Sequence, residues 1–181
     1  GNRARTSDSA TANADSVDLT ADLVISVNDS LIWAVGNVII ERPDLRATAD
    51  SATLDQGTEF ARLLRGPEIV GRGERPFTLV GTVVDLWSKD RKLRRVRADG
   101  RAKVTSDSLT LTGDTIDLRL QDQQMERVFA WGGRAIADAP AQRLEAASLD
   151  ILMPAQRLRE VRAIGAARAA TNADTAKFAT D

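Results

Sequence analysis

Apolar and polar residues alternate with period two over most of the chain. In "SLTLTGDTIDLRL" (Ser108 to Leu120), Leu109 and Leu111 fall on one face, with Thr110 and Thr112 opposite. Beyond Gly113-Asp114, read as a turn, Ile116, Leu118 and Leu120 share a face, and Thr115, Asp117 and Arg119 the other. "LRRVRADGRAKV" follows suit, with Val96 and Ala98 inward and Arg95, Arg97 and Asp99 outward. Such alternation predicts half-buried β-strands rather than helices. "DLVISV", "NVII" and "RVFAW" are apolar in both phases. These stretches are either covered on both faces or lie at edges that await a partner.

The pattern recurs. Gly100, Gly132 and Gly165 each follow a Leu or Met by seven residues (Leu93, Met125, Leu158). Each also follows a Val by four (Val96, Val128, Val161) and an Ala by two (Ala98, Ala130, Ala163). Gly36 and Gly66 end weaker copies, so successive glycines are 30, 34, 32 and 33 residues apart. A second phrase, "GDTIDLRL" from Gly113, has relatives from Ala14, Ala49, Gly81 and Ala146 and a degenerate copy from Ala173. In it Asp18, Thr53, Asp85, Asp117 and Asp150 hold one slot. Two phrases sharing one period establish a repeat. Glycine supplies positive φ at corners, so each unit is read as about three short strands joined by tight turns, roughly sixteen strands in all. The tail "RLREVRAIGAARAA" has helical propensity but aligns with strand segments, and is assigned as strand. Residues 1–13 lack an apolar pattern and are predicted to be flexible, leaving one all-β domain over 14–181.

Composition narrows the chemistry. The 181 residues carry a net charge of −1, which gives nucleic acid no electrostatic reason to bind. Cys, His and Tyr are absent, removing thiolate chemistry, the commonest general base and the phenol acid. The slot aspartates are predicted on a solvated face one cycle apart, unsuited to a calcium ladder. Gly71-Arg72-Gly73 and Gly132-Gly133 read as turns or bulges, because no helix start or Gly-Lys-Ser/Thr follows. Arg94, Arg95, Arg97 and Arg101 read as a solvated basic face, with an anionic head-group contact as the alternative. Trp33, Trp87 and Trp131 are placed at edges or inside. No cofactor and no catalytic residues are assigned. The chain begins at Gly1 and is read as a mature or excised fragment.

Three stretches, "GNVIIERPDLRATADSATLD" (Gly36 to Asp55), "VRADGRAKVTSDSLTLTGDTIDL" (Val96 to Leu118) and "LEAASLDILMPAQRLREVRAIG" (Leu144 to Gly165), resemble the OstA-like proteins, the LptA/LptC/LptD-N group of lipopolysaccharide transport. Leu54, Leu86, Leu118 and Ile151 stand where that group often has Tyr. The resemblance implies a folded-over antiparallel β-jellyroll, or β-taco, in the periplasm, free or anchored to the inner or outer membrane through a segment outside this sequence. It implies an apolar trough for lipopolysaccharide or a similar lipid, no enzymatic activity, and end-to-end strand pairing with other OstA-like domains or further copies of the chain. By strand phase the trough candidates are Leu19, Leu54, Leu79, Val84, Leu86, Val96, Val104, Leu109, Leu111, Ile116, Leu118, Val128, Ile136, Leu149, Ile151 and Val161. Two alternatives remain at the level of sequence. One is a structural β-solenoid with a dry core. The other is a carbohydrate-active β-repeat enzyme, which the solvent-facing, widely spaced aspartates disfavour.

Overall fold

A computed structural model describes residues 5–14, 17–27 and 30–171. Its strands are β1 (Arg5–Ala14), β2 (Val17–Ser26), β3 (Leu31–Glu41), β4 (Leu45–Asp55), β5 (Phe60–Leu64), β6 (Glu68–Gly71) and β7 (Phe77–Val80). They continue with β8 (Val83–Lys89), β9 (Lys92–Ser106), β10 (Thr110–Gln121), β11 (Gln124–Ala139), β12 (Gln142–Leu152), β13 (Glu160–Ile164) and β14 (Arg168–Thr171). A single 3-10 turn, Pro154–Gln156, separates β12 from β13. All fourteen strands belong to one antiparallel sheet ordered β1-β2-β3-β4-β5-β8-β9-β10-β11-β12-β13. Strands β6 and β7 bridge β4 to β9, and β14 pairs with β12.

The tail is strand at Glu160–Ile164 and Arg168–Thr171, as its alignment with earlier units predicts. The degenerate copy from Ala173 lies outside the described residues. At the other end, Arg5–Ala14 pairs along β2 despite its lack of an apolar pattern, so this part of the segment read as flexible is strand.

The repeat glycines do not reverse the chain. Gly36, Gly100 and Gly132 sit inside long strands at φ of +79°, +80° and +83°. Gly36-Asn37 oppose Asp50, and Gly100-Arg101 oppose Asp114, so each pair inserts an extra residue into the ladder. Such β-bulges bend a strand and raise its twist. Gly66 and Gly165 occupy the breaks between β5 and β6 and between β13 and β14. These bulges align across the sheet as one crease. The strands are therefore fewer and longer than sixteen short ones, and Gly113-Asp114, read as a turn, lies within β10. Reversals occur instead at pairs such as Asp90-Arg91 and Asp122-Gln123, whose positive φ values suit two-residue hairpins.

The crease divides the sheet into two walls. On the first, one inward row runs Ala34, Ala52, Leu63, Val84, Ala98, Ile116, Ala130, Leu149 and Ala163, alternating small and large along much of its length. The next row runs Ile32, Leu54, Ala61, Leu86, Val96, Leu118, Val128, Ile151 and Val161. The second wall contributes Leu19, Ile40, Ala47, Ile69, Leu79, Val104, Leu111, Ala137 and Leu144. Rows from both walls pack into one core, so the sheet is folded over on itself as a β-jellyroll.

Candidate functional site

Along most of the fold the walls meet. Leu63, Val84, Val96, Ile116, Leu118 and Ile151 have no exposed surface. Beside the β3–β4 corner they part. A cavity of about 320 Å³ opens between Ile40 of the second wall and Leu54, Ala61 and Leu86 of the first, with Val17 and Phe60 beside them. Arg42, Asp55, Gln56, Glu59, Ser88 and Arg91 form a polar rim around this apolar floor. The volume is at the small end of the range for ligand pockets, about 300–1,000 Å³.

The rim is built rather than loose. Arg42 donates from Nε and one amino group to Asp44 (2.9 and 3.0 Å) and from the other to Ser88 Oγ (2.8 Å). Asp44 also accepts the Leu93 amide at 3.1 Å. The β3–β4 corner is thereby tied to the β8–β9 hairpin across the opening. Glu59 accepts the Asp90 and Arg91 amides (3.0 and 2.8 Å), which holds that hairpin from its other side. Hydrogen bonds from the Thr58 side chain and backbone hold the Asp55 carboxyl below its usual range, so it stays charged at the mouth.

Of the residues read as trough candidates, Leu54 and Leu86 line this opening. Leu19, Leu79, Val84, Val96, Val104, Leu109, Leu111, Ile116, Leu118, Val128, Leu149 and Ile151 lie in the closed core, and half-buried Val161 packs against it. Ile136 is a correction. The bulge at Gly132-Gly133 changes the strand phase, so Ala135 and Ala137 point inward and Ile136 joins the outer face between Thr112 and Glu145. Strand phase missed Val17, Ile40 and Ala61. Ile40 belongs to an ambiguous two-phase stretch, and Ala61 to the weak copy "FARLLRG", which still carries the unit's alternation.

The outer face also departs from expectation. Asp18 is exposed, but Asp85 and Asp117 retain only 5% and 3% of their surface. Arginines cover them. Arg62 donates to both oxygens of Asp85 at 2.7 Å. Arg95 donates to Asp117 from Nε at 2.8 Å and from one amino group, and Arg119 adds its Nε at 3.1 Å. Arg127 grips Asp150 at 2.8 and 2.6 Å. The Arg127 hydrogen bond holds the Asp150 carboxyl below its usual range despite partial burial. For Asp99 burial pushes upward, but hydrogen bonds from Arg97 and Thr115 outweigh it. Phe60, Trp87, Phe129 and Trp131 belong to this face as well, whereas Phe77 is buried in the core. Arg62 lies over Phe60, Arg95 over Trp87, Arg97 over Trp131 and Arg127 over Phe129, at 5.9, 4.7, 5.6 and 4.5 Å. Trp33 is likewise exposed, on β3, so the three tryptophans stand on the outer face of mid-sheet strands, neither at edges nor inside. Among the described residues, no group of three or more Asp or Glu side chains is placed to hold a metal ion.

No protein-family model matches the chain, and the curated proteins yield no significant match. Solved structures do match. LptH from Pseudomonas aeruginosa, the LptA-homologous periplasmic component of a lipopolysaccharide transport device, superposes with a TM-score of 0.54 at 18% identity. The alignment covers 65% of this chain and 82% of LptH. The chain shares the β-jellyroll fold of that LptA homologue.

Proposed function

We propose that this chain is a non-enzymatic lipid-carrying module of lipopolysaccharide transport in the periplasm, which shelters acyl chain between its two walls. The carrying observation is the apolar opening, floored by Ile40, Leu54, Ala61 and Leu86 and ringed by polar side chains, in a fold shared with LptH. Each methylene taken from water contributes about 0.8 kcal/mol, so eight are worth ~6 kcal/mol before ordering costs. A charged and hydrogen-bonded rim keeps the polar end of an amphiphile in water while its tail enters. In this reading the strands at the sheet edges pair with sister modules or with further copies of the chain, so its mass in light scattering rises with concentration. A structural protein with a dry interior is the second reading, favoured by the complete burial of Val84, Ile116 and Ile151.

A fluorescent fatty acid separates the two. In the lipid reading the probe binds saturably and lipopolysaccharide displaces it. Ala61→Arg, at the half-buried cavity wall, weakens the probe at least tenfold with little change in the unfolding midpoint. A probe that never binds, together with native mass spectra free of co-purified lipid, refutes the lipid reading and leaves the dry core.

A further inference from the structure

The outer face brings three arginines into one cross-strand row. Arg95 of β9 stands opposite Arg119 of β10, which stands opposite Arg127 of β11. Like charges directly opposite one another destabilise a sheet, and here the counter-charge is incomplete. Asp117 serves both Arg95 and Arg119, and Asp150 serves Arg127. The row keeps one unit of positive charge beyond its two carboxylates.

The guanidiniums are also incompletely used. Arg119 meets Asp117 through Nε alone, leaving both amino groups uncommitted. Arg95 and Arg127 each spend Nε and one amino group, and each retains the other. The side chains of Arg119 and Arg127 are 54% and 46% exposed, so these donors are accessible. Two of the three guanidiniums are held in place by rings: Arg95 rests on Trp87 and Arg127 on Phe129. Beside Arg127 lies a depression of about 280 Å³ lined by Asp150, Leu152, Glu160 and Arg162.

We infer that this row is a binding site for a phosphate-class anion, bridged between Arg119 and Arg127 with Arg95 as a third donor. A tetrahedral oxyanion offers oxygens in several directions and meets neighbouring guanidiniums at once, whereas a planar carboxylate fills a single fork. Asp150 and Glu160 on the far side select a compact anion over an extended polyanion by like-charge repulsion. A phosphate on a lipid head group and a free phosphate present the same acceptors to these donors. The site is on the outside of the sheet, apart from the cavity between the walls.

Inorganic phosphate titrated into protein labelled at the arginine Nε positions tests the inference by NMR. Saturable shifts at Arg119 and Arg127 are expected, with none at Arg168 of β14. Arg119→Gln and Arg127→Gln each weaken binding about tenfold, the size of a lost charge-assisted contact, while the fatty-acid probe binds the cavity as before. Sedimentation with phosphatidylcholine vesicles, with and without phosphatidic acid, identifies the source. Pelleting that requires phosphatidic acid and Arg119 assigns a head-group phosphate, and phosphate shifts without pelleting assign the free anion. The inference is overturned if the wild type shows neither, or if both variants bind phosphate as tightly as the wild type.

Discussion

Gly100→Ala tests whether the crease depends on its glycines. Gly100 adopts φ of +80°, where an L-residue costs about 1–2 kcal/mol. A Cβ built there would stand 2.5 Å from Thr82 Oγ1 and 2.7 Å from Thr82 Cβ. Thr82 cannot easily retreat, because its amide donates to Asp99 and Gly100 oxygens at 2.9 and 3.0 Å. Overpacking of this kind adds about 1–3 kcal/mol, for a total near 3 kcal/mol. Gly66 provides the comparison. Its φ is +75°, yet nothing lies within 4 Å of its Cβ position. Gly66→Ala therefore carries only the conformational penalty, partly offset by the stiffer unfolded chain, and costs about 1 kcal/mol. Urea unfolding of both variants, and of Gly100→Ala combined with Thr82→Gly, gives the partition. The double variant should bring the cost of Gly100→Ala down to that of Gly66→Ala. If Gly100→Ala and Gly66→Ala cost the same in the wild-type background, Thr82 contributes nothing and the reasoning fails.

Three further outcomes follow from the same geometry. Ile116→Ala removes fully buried side chain and costs about 2–5 kcal/mol, whereas Ile136→Ala on the outer face costs under about 1 kcal/mol; equal losses in urea unfolding would place both on one face. Asp117→Asn strips two arginines of a buried counter-charge and costs about 2 kcal/mol after allowance for their solvent screening. Asp50→Asn, at an exposed pair with Arg65, should leave the thermal midpoint nearly unchanged; a drop as large as that for Asp117→Asn would contradict the role of burial. Because folding lowers the Asp150 value, its pairing with Arg127 stabilises fully above about pH 4 and is lost as acid approaches the lower folded midpoint. In Arg127→Gln, carboxyl-carbon NMR should find the Asp150 midpoint moved up toward the ordinary aspartate value, and an unmoved midpoint would exclude the hydrogen bond as its cause.

The fold class was legible because alternation and repeat agree. Val96, Val128 and Val161 occupy equivalent positions in three successive units, and pairing places Val96, Val128 and Val161 in one inward row. What the pattern misled about was the crease. A Gly-Asp pair looks alike whether it reverses a chain or opposes a bulge on the neighbouring strand, and only cross-strand register separates the two. Hence Gly113-Asp114 read as a turn, and hence Ile136 was carried to the wrong face by counting through Gly132-Gly133. The burial of Asp85 and Asp117 was hidden for a related reason. Alternation identifies the face to which a carboxylate belongs, but not the arginines that lie over it from neighbouring strands. The cavity was legible only in part: Leu54 and Leu86 fall in the repeat's inward row, whereas Ile40 lies in a stretch apolar in both phases and Ala61 in a weak copy.

The crease has a consequence for size. A thirty-odd-residue unit adds a pair of strands that both cross the same fold line, so it lengthens the jellyroll by two interstrand spacings, about 9.5 Å. Its inward rows continue those of its neighbours, and the bore is unchanged. Gain or loss of a whole unit would make a longer or shorter duct of constant calibre. One stray residue within a strand would turn the greasy lining outward from that point on.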